Sequence, residues 1–205
     1  TTSQVAALST AQVAALETLD VSSLTTDQLQ AVSTAQMRAL DSNQAKALTS
    51  VQVAKLTTAQ LGSLTANQAA ALDTVDVAQL GTDQVRSITT AAIAGLTTSQ
   101  VNNLSTDQVK NLLSAQVGAL TSAQLTALTT AQLATLSTEQ MSALRATQVL
   151  GFETGDLASL SSDQLNALTT AALSALASNQ VANLTTAQVN NLSSTQVGAM
   201  TSAQV

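Results

Sequence analysis

Cysteine, histidine, proline, tryptophan and tyrosine are all absent from this 205-residue chain, and its one aromatic side chain is Phe152. Lack of cysteine excludes disulfides, thiol nucleophiles and thiolate metal sites. Lack of histidine removes the imidazole base and the commonest metal-ligating side chain. Missing rings exclude an ordinary globular core, because aromatics carry much of the apolar area that such cores bury. Charge is scarce as well: 9% of residues are charged, against about 25% in an average domain. The six basic residues, Arg38, Lys46, Lys55, Arg86, Lys110 and Arg145, are scattered, and the net charge is −6. A nucleic-acid partner needs a clustered basic face, so that class is excluded. No apolar run approaches the ~18 residues of a membrane span, and no secretory leader is legible. What remains is a chain that is 45% hydrophobic, too apolar and too weakly charged for a disordered segment.

What is present is one octapeptide, repeated without insertion or deletion. The chain reads TTSQVAAL, STAQVAAL, ETLDVSSL, TTDQLQAV and onward through twenty-five octads, then TSAQV. Position 5 is aliphatic or Met except at Ala45 and Ala69; position 8 is Leu except at Val32, Ile88, Phe152 and Met200. Position 4 is Gln except at Asp20, Asp76, Ala92, Asp156 and Ala172, and position 2 is Thr or Ser except at Ala66 and Ala146. Thr or Ser at position 1 with Gln at position 4 has capping-box spacing, in which the hydroxyl accepts a backbone N–H and the glutamine reaches back. The acids at position 1 (Glu17, Asp41, Asp73, Glu153) suit the same place, since carboxylates also cap helices. Positions 5 and 8 are three apart and share one helical face.

These signals predict an all-α solenoid, or superhelix, of about 25 short helices of about two turns, one per octad. A single continuous helix fails, because eight residues at ~100° each advance two turns plus ~80° and the apolar stripe would spiral off any core. The alternative is a β-solenoid, but the 5-and-8 spacing is not period two and Ala-rich segments make poor strands. Position 7 is small enough for close helix approach, and positions 3 and 6 read as solvent-facing. One octad cannot bury its apolar pair alone, so stability must be shared along the array. The number of helices per turn is not set by the pattern.

The octads are not interchangeable. DTVDVAQL-GTDQVRSI-TTAAIAGL at 73–96 is matched eighty residues later by ETGDLASL-SSDQLNAL-TTAALSAL at 153–176. Residues 1–205 therefore read as a single array with an 80-residue higher-order repeat (73–152, then 153–205). Each block start carries three acids, and a weaker version begins at Glu17. The sets are Glu17, Asp20 and Asp27; Asp73, Asp76 and Asp83; and Glu153, Asp156 and Asp163. They are candidate calcium ligands, because that ion prefers several carboxylate and carbonyl oxygens. The competing explanation is acid placed near helix N-termini, where it is mildly favourable.

No catalytic set is legible. The hydroxyls lack any base other than carboxylates and a few lysines, and a repeated hydroxyl is better explained as a cap. No cofactor motif or small-molecule substrate site appears. Asp83–Arg86 and Asp107–Lys110 read as weak surface pairs. Phe152 fills a position-8 core slot beside the irregular Arg145 and Leu150. Motifs such as LTTAQVNNL and LTSAQLTAL resemble tracts of very large secreted bacterial surface proteins of the adhesin or haemagglutinin type. That resemblance implies an extracellular or cell-surface location and a stalk, fibre or spacer role; the Gly/Asp-rich nonapeptides of calcium-binding toxin repeats are missing. The expected function is structural: a rod, stalk or filament segment. The alternative is a scaffold that binds a protein or glycan through positions 3 and 6. Neither end carries a polar cap, and Val205 keeps the apolar position 5. A longer array, or self-association end to end or laterally, is therefore expected.

Overall fold

The computed structural model describes residues 1–204; Val205, which the end-stacking expectation uses, lies outside the described residues. Each octad forms one helix, from α1 (Thr2–Ala6) to α25 (Ser194–Gly198), so that each helix number is also its octad number. No strand occurs among the described residues, and the β alternative falls away. The helices are shorter than two turns, at four to six residues each, as in α2 (Thr10–Ala14) and α3 (Thr18–Ser23). The reason is at the joints. Position 1 is extended, as at Thr25 (φ −68, ψ 159). Where the helix runs through position 7, position 8 is extended as well, as at Leu40 (φ −62, ψ 138). Chain reversal thus takes place in a couple of extended residues, and no described residue has positive φ. Glycine C-caps, the usual way to end a helix, are not used.

The chain divides into two compact units, Thr1–Leu104 and Ser105–Val205. Within the first, each helix packs on the helix three octads on: α2 on α5 (Thr34–Ala39), α6 (Ser42–Lys46) on α9 (Ala66–Ala71), and α9 on α12 (Thr90–Gly95). Hydrogen bonds meanwhile link residues 28 and 31 apart, such as Gln36 to Leu8 and Val5. A separation of 28 residues is three and a half octads, so each superhelical turn holds between three and four helices. The second unit repeats this scheme, with α15 (Ser114–Ala119) on α18 (Thr138–Ser142) and α19 (Ala146–Val149) on α22 (Thr170–Ala175).

Positions 5 and 8 line the interior of both units, although position 5 is exposed at Val189 and Val197. In the first, Met37, Val53, Leu61 and Val101 are fully buried, as are Leu125, Met141, Leu165 and Leu173 in the second. Phe152 occupies its position-8 slot at 4% exposure, a larger side chain in a place built for leucine. Small residues matter at position 6 as well as position 7. A Cβ on Gly62 would lie 2.9 Å from the Ser87 carbonyl oxygen, and one on Gly118 would lie 3.0 Å from that of Ala143. Position 6 is therefore not uniformly solvent-facing, although Arg38 and Lys46 there are exposed. The closest approach to another backbone is at position 7. A Cβ on Gly95 would meet Ala66 Cβ at 2.6 Å and its Cα at 2.7 Å.

Candidate functional site

The glutamine of position 4 gives the fold its most repeated chemistry. Its Oε1 accepts the backbone N–H of position 1 in its own octad, as Gln44 does from Asp41 at 2.8 Å. Position 1 returns the bond where its side chain allows, as when Asp41 Oδ1 accepts the Gln44 N–H at 2.7 Å. The glutamine half persists alone at Gly81, Leu113, Arg145 and Ala177, whose N–H groups reach Oε1 at 2.6 to 2.8 Å.

The same side chain also faces backwards. Gln60 Nε2 donates to the carbonyls of Leu29 and Val32 at 2.7 and 2.8 Å; Gln68 donates to those of Met37 and Leu40, both at 2.7 Å. In the second unit Gln188 does so to Leu157 and Leu160 at 2.7 and 2.8 Å. The acceptors are the position-5 and position-8 carbonyls of the octad four earlier, two of the orphan groups that any helix C-terminus leaves. One amide therefore caps the start of its own helix and the end of another. That is why glutamine is buried in most octads, at 1% exposure for Gln100, Gln116 and Gln148.

Sequence reasoning found the first half of this device and missed the second. A signal was available. A capping box accepts Glu as readily as Gln, yet no octad has Glu at position 4. Of the two, only the amide offers an acceptor and a donor together, since an ionised carboxylate only accepts.

The exceptions at position 4 are distributed with structural sense. Ala92 and Ala172, where the amide is lost, are both 0% exposed. Each lies in a helix packed on the one three octads earlier, α12 on α9 and α22 on α19. Those partners, α9 and α19, begin with the two position-2 alanines, Ala66 and Ala146. Loss of the hydrogen bond is thus accompanied by smaller residues at the facing positions, and both substitutions recur eighty residues apart.

The acidic residues are dispersed. Among the described residues no three carboxylates lie in a group that could hold a metal ion. Glu17, Asp27, Asp73, Asp83, Glu153 and Asp163 are exposed, as is Asp20. Capping accounts for the acids unevenly. Asp41 caps its helix, but Glu17, Asp73 and Glu153 make no side-chain cap bond. Instead the acid at position 4 takes over the glutamine half: Asp20 Oδ2 accepts the Glu17 N–H at 3.1 Å, and Asp156 Oδ2 that of Glu153 at 3.3 Å. Asp156 Oδ1 also accepts the Thr130 hydroxyl at 2.7 Å. Asp76 and Asp156 are buried, at 2% and 7% exposure.

The described residues also line two concavities. In the first unit, aliphatic side chains including Val13, Val21 and Leu29 surround a space of about 10 Å³, which offers a water molecule no polar partner. In the second, an open groove of about 500 Å³ runs past Leu150, Glu153 and Asn179. Gln180 lines it too, but its amide is committed to the Val149 and Phe152 carbonyls at 3.2 and 2.7 Å. No helix among the described residues is long and apolar enough to cross a membrane.

The family model of the ALTTAQ repeat matches residues 21–58, 69–106, 77–114, 103–130, 117–152 and 149–186, which together cover well over half of the chain. No curated protein matches it.

Proposed function

Because the chain belongs to the ALTTAQ repeat family, we propose that it is a structural repeat array, a rod, stalk or filament segment of a secreted or cell-surface protein, and not an enzyme. The glutamine ladder carries this reading. From the fifth octad on, glutamine at position 4 is spent on its own helix start and on the carbonyls four octads back, as Gln52 does with the Thr49 N–H and with the Val21 and Leu24 carbonyls at 2.9 and 2.8 Å. Chemistry used in this way joins octads to one another. A chain so built lengthens by adding octads, because each added glutamine octad brings the donor that the previous turn needs. The reading extends to self-association end to end or laterally, through the same pairing of amides with carbonyls. Electron micrographs of the purified chain test the role: particles of one fixed globular outline at all concentrations count against it. Light scattering over a concentration series tests the association, and a strictly monomeric 20.7 kDa species throughout removes it. Protease shaving of intact cells tests the location; a chain degraded only after lysis is not on the surface.

A specific observation favours the second reading, a scaffold for a protein or glycan. Leu19, Val51 and Val75 occupy position 3 of their octads and are 71%, 67% and 66% exposed. They lie on α3, α7 (Ser50–Ala54) and α10 (Thr74–Ala78); α7 packs on α10, and Gln52 beside Val51 bonds to the octad of Leu19. Three large apolar side chains thus fall on successive turns of the first unit. Replacing all three by Ser leaves stability nearly unchanged, since exposed positions contribute little. If a glycan or peptide array binds the parent chain and the triple variant equally, this reading fails.

A further inference from the structure

The ladder has one position where the chemistry is inverted. Asp76 sits where other octads carry glutamine; it is 2% exposed, and its Oδ1 is buried without a hydrogen-bond partner. The register on either side fixes what it faces. Gln68 donates to the carbonyls of Met37 and Leu40, and Gln84 to those of Ala54 and Leu56. The octad between them therefore addresses the carbonyls of Ala45 and Leu48. An ionised carboxylate only accepts. By that register Asp76 and the two carbonyls bring only acceptor oxygens to a place where the neighbouring turns put a donor, and a buried acceptor left unserved, as Oδ1 is, is costly. Lys46, next to Ala45, is exposed and does not touch Oδ1.

We propose that this slot binds a single hard cation, held by Asp76 and by the carbonyls of Ala45 and Leu48. Carboxylate and carbonyl oxygens are the ligand types such ions take. Aspartate is one methylene shorter than glutamine, so its carboxylate stops short of the carbonyls. Two metal–oxygen bonds of ~2.3–2.6 Å span a wider gap than one hydrogen bond does. The second unit supplies the contrast. There Asp156 occupies the equivalent position, but Thr130 donates its hydroxyl to Oδ1 at 2.7 Å and the Glu153 N–H serves Oδ2. Eighty residues earlier, Thr130 is matched by Ser50, whose hydroxyl makes no bond to Asp76 Oδ1. The two blocks have diverged at the residue that decides whether an ion is needed. The site requires one carboxylate, which differs from the three-acid sets suggested by the sequence.

The test uses the whole chain stripped with a chelator and unfolded by heat in tetramethylammonium chloride, then in calcium chloride or sodium chloride at matched ionic strength. One of the two small cations raises the midpoint by about 2–4 °C, and equilibrium dialysis against that ion finds one equivalent per chain. The Asp76→Gln variant supplies the amide, so it melts higher than the parent in tetramethylammonium, binds no ion and loses the response. Asp156→Gln keeps both binding and response. Either of two results overturns the proposal: a parent midpoint that ignores both cations, or an equal response in Asp76→Gln.

Discussion

Glutamine at position 4 is held from both sides of its amide, and substitutions can separate the two jobs. Gln60→Ala removes the acceptor for the Thr57 N–H and the donor to the Leu29 and Val32 carbonyls. At 0.5–1.5 kcal/mol per bond, the expected loss is about 2–4 kcal/mol. Gln60→Glu keeps the acceptor but turns a carboxylate oxygen towards two carbonyls; urea unfolding should find it worse than Ala despite its closer shape. Were Gln60→Glu harmless, the backward bond would carry no weight. Among apolar residues, Leu144 is 2% exposed, and Leu144→Ala should cost about 2–5 kcal/mol. Arg38 is exposed, and Arg38→Ala should stay within about 0.5 kcal/mol. Two glycines give an internal control. Gly95→Ala drives a Cβ into the Ala66 backbone and should cost about 1–3 kcal/mol. Gly155 meets nothing within 4 Å, so Gly155→Ala should be neutral or stabilise its helix by up to about 1 kcal/mol.

At the scale of the element, helices of five residues such as α4 (Thr26–Gln30), whose finish Gln60 serves, are too short to persist alone, since isolated helices below ~12 residues are marginal. They exist because both ends are served, the start by the local cap and the finish by a distant amide. Register in eights is therefore the property to disturb. Deleting residues 57–64 removes one octad and leaves every remaining glutamine in its own frame, with partners to be found one octad over. Deleting 57–60 alone leaves one half-octad between two whole ones and puts position 5 where position 1 belongs. Circular dichroism should show helical content and a cooperative melt for the first deletion and a clear loss of both for the second. Equal damage would mean that the octads of this region are not equivalent units.

Over the whole molecule, contacts reach only three and four octads along the chain within each unit, so stability grows with repeat number until the ends cease to matter. Duplicating the block 73–152 should raise the thermal midpoint, and removing it should lower it, both read by the same melts. A midpoint indifferent to length would point to a local core instead of a shared one. Small residues set how tightly the turns close: Ala66 beside Gly95, and Gly118 beside Ala143, allow approaches that larger side chains would forbid. The alanines that replace glutamine in α12 and α22 trade a hydrogen bond for this closeness.

Several features of this protein were decided by the sequence itself. Eight-residue spacing, a hydroxyl at position 1, Gln at position 4 and apolar residues at 5 and 8 specify a short capped helix per octad. These are local preferences, satisfied within one repeat. The burial of Leu61, Leu125 and Phe152 followed from the same face. Only the tertiary structure decided how many helices complete a turn, because that depends on the reach of an amide to carbonyls 28 and 31 residues back. It also decided that position 8 leaves the helix, so that helices run four to six residues and not two turns. Finally it separated the acids, which are alike in sequence: Asp20 is exposed, Asp156 is satisfied by Thr130, and Asp76 is buried with an unpartnered oxygen. Their difference lies in what the neighbouring turn presents, and a neighbour three octads away is invisible to any pattern of eight.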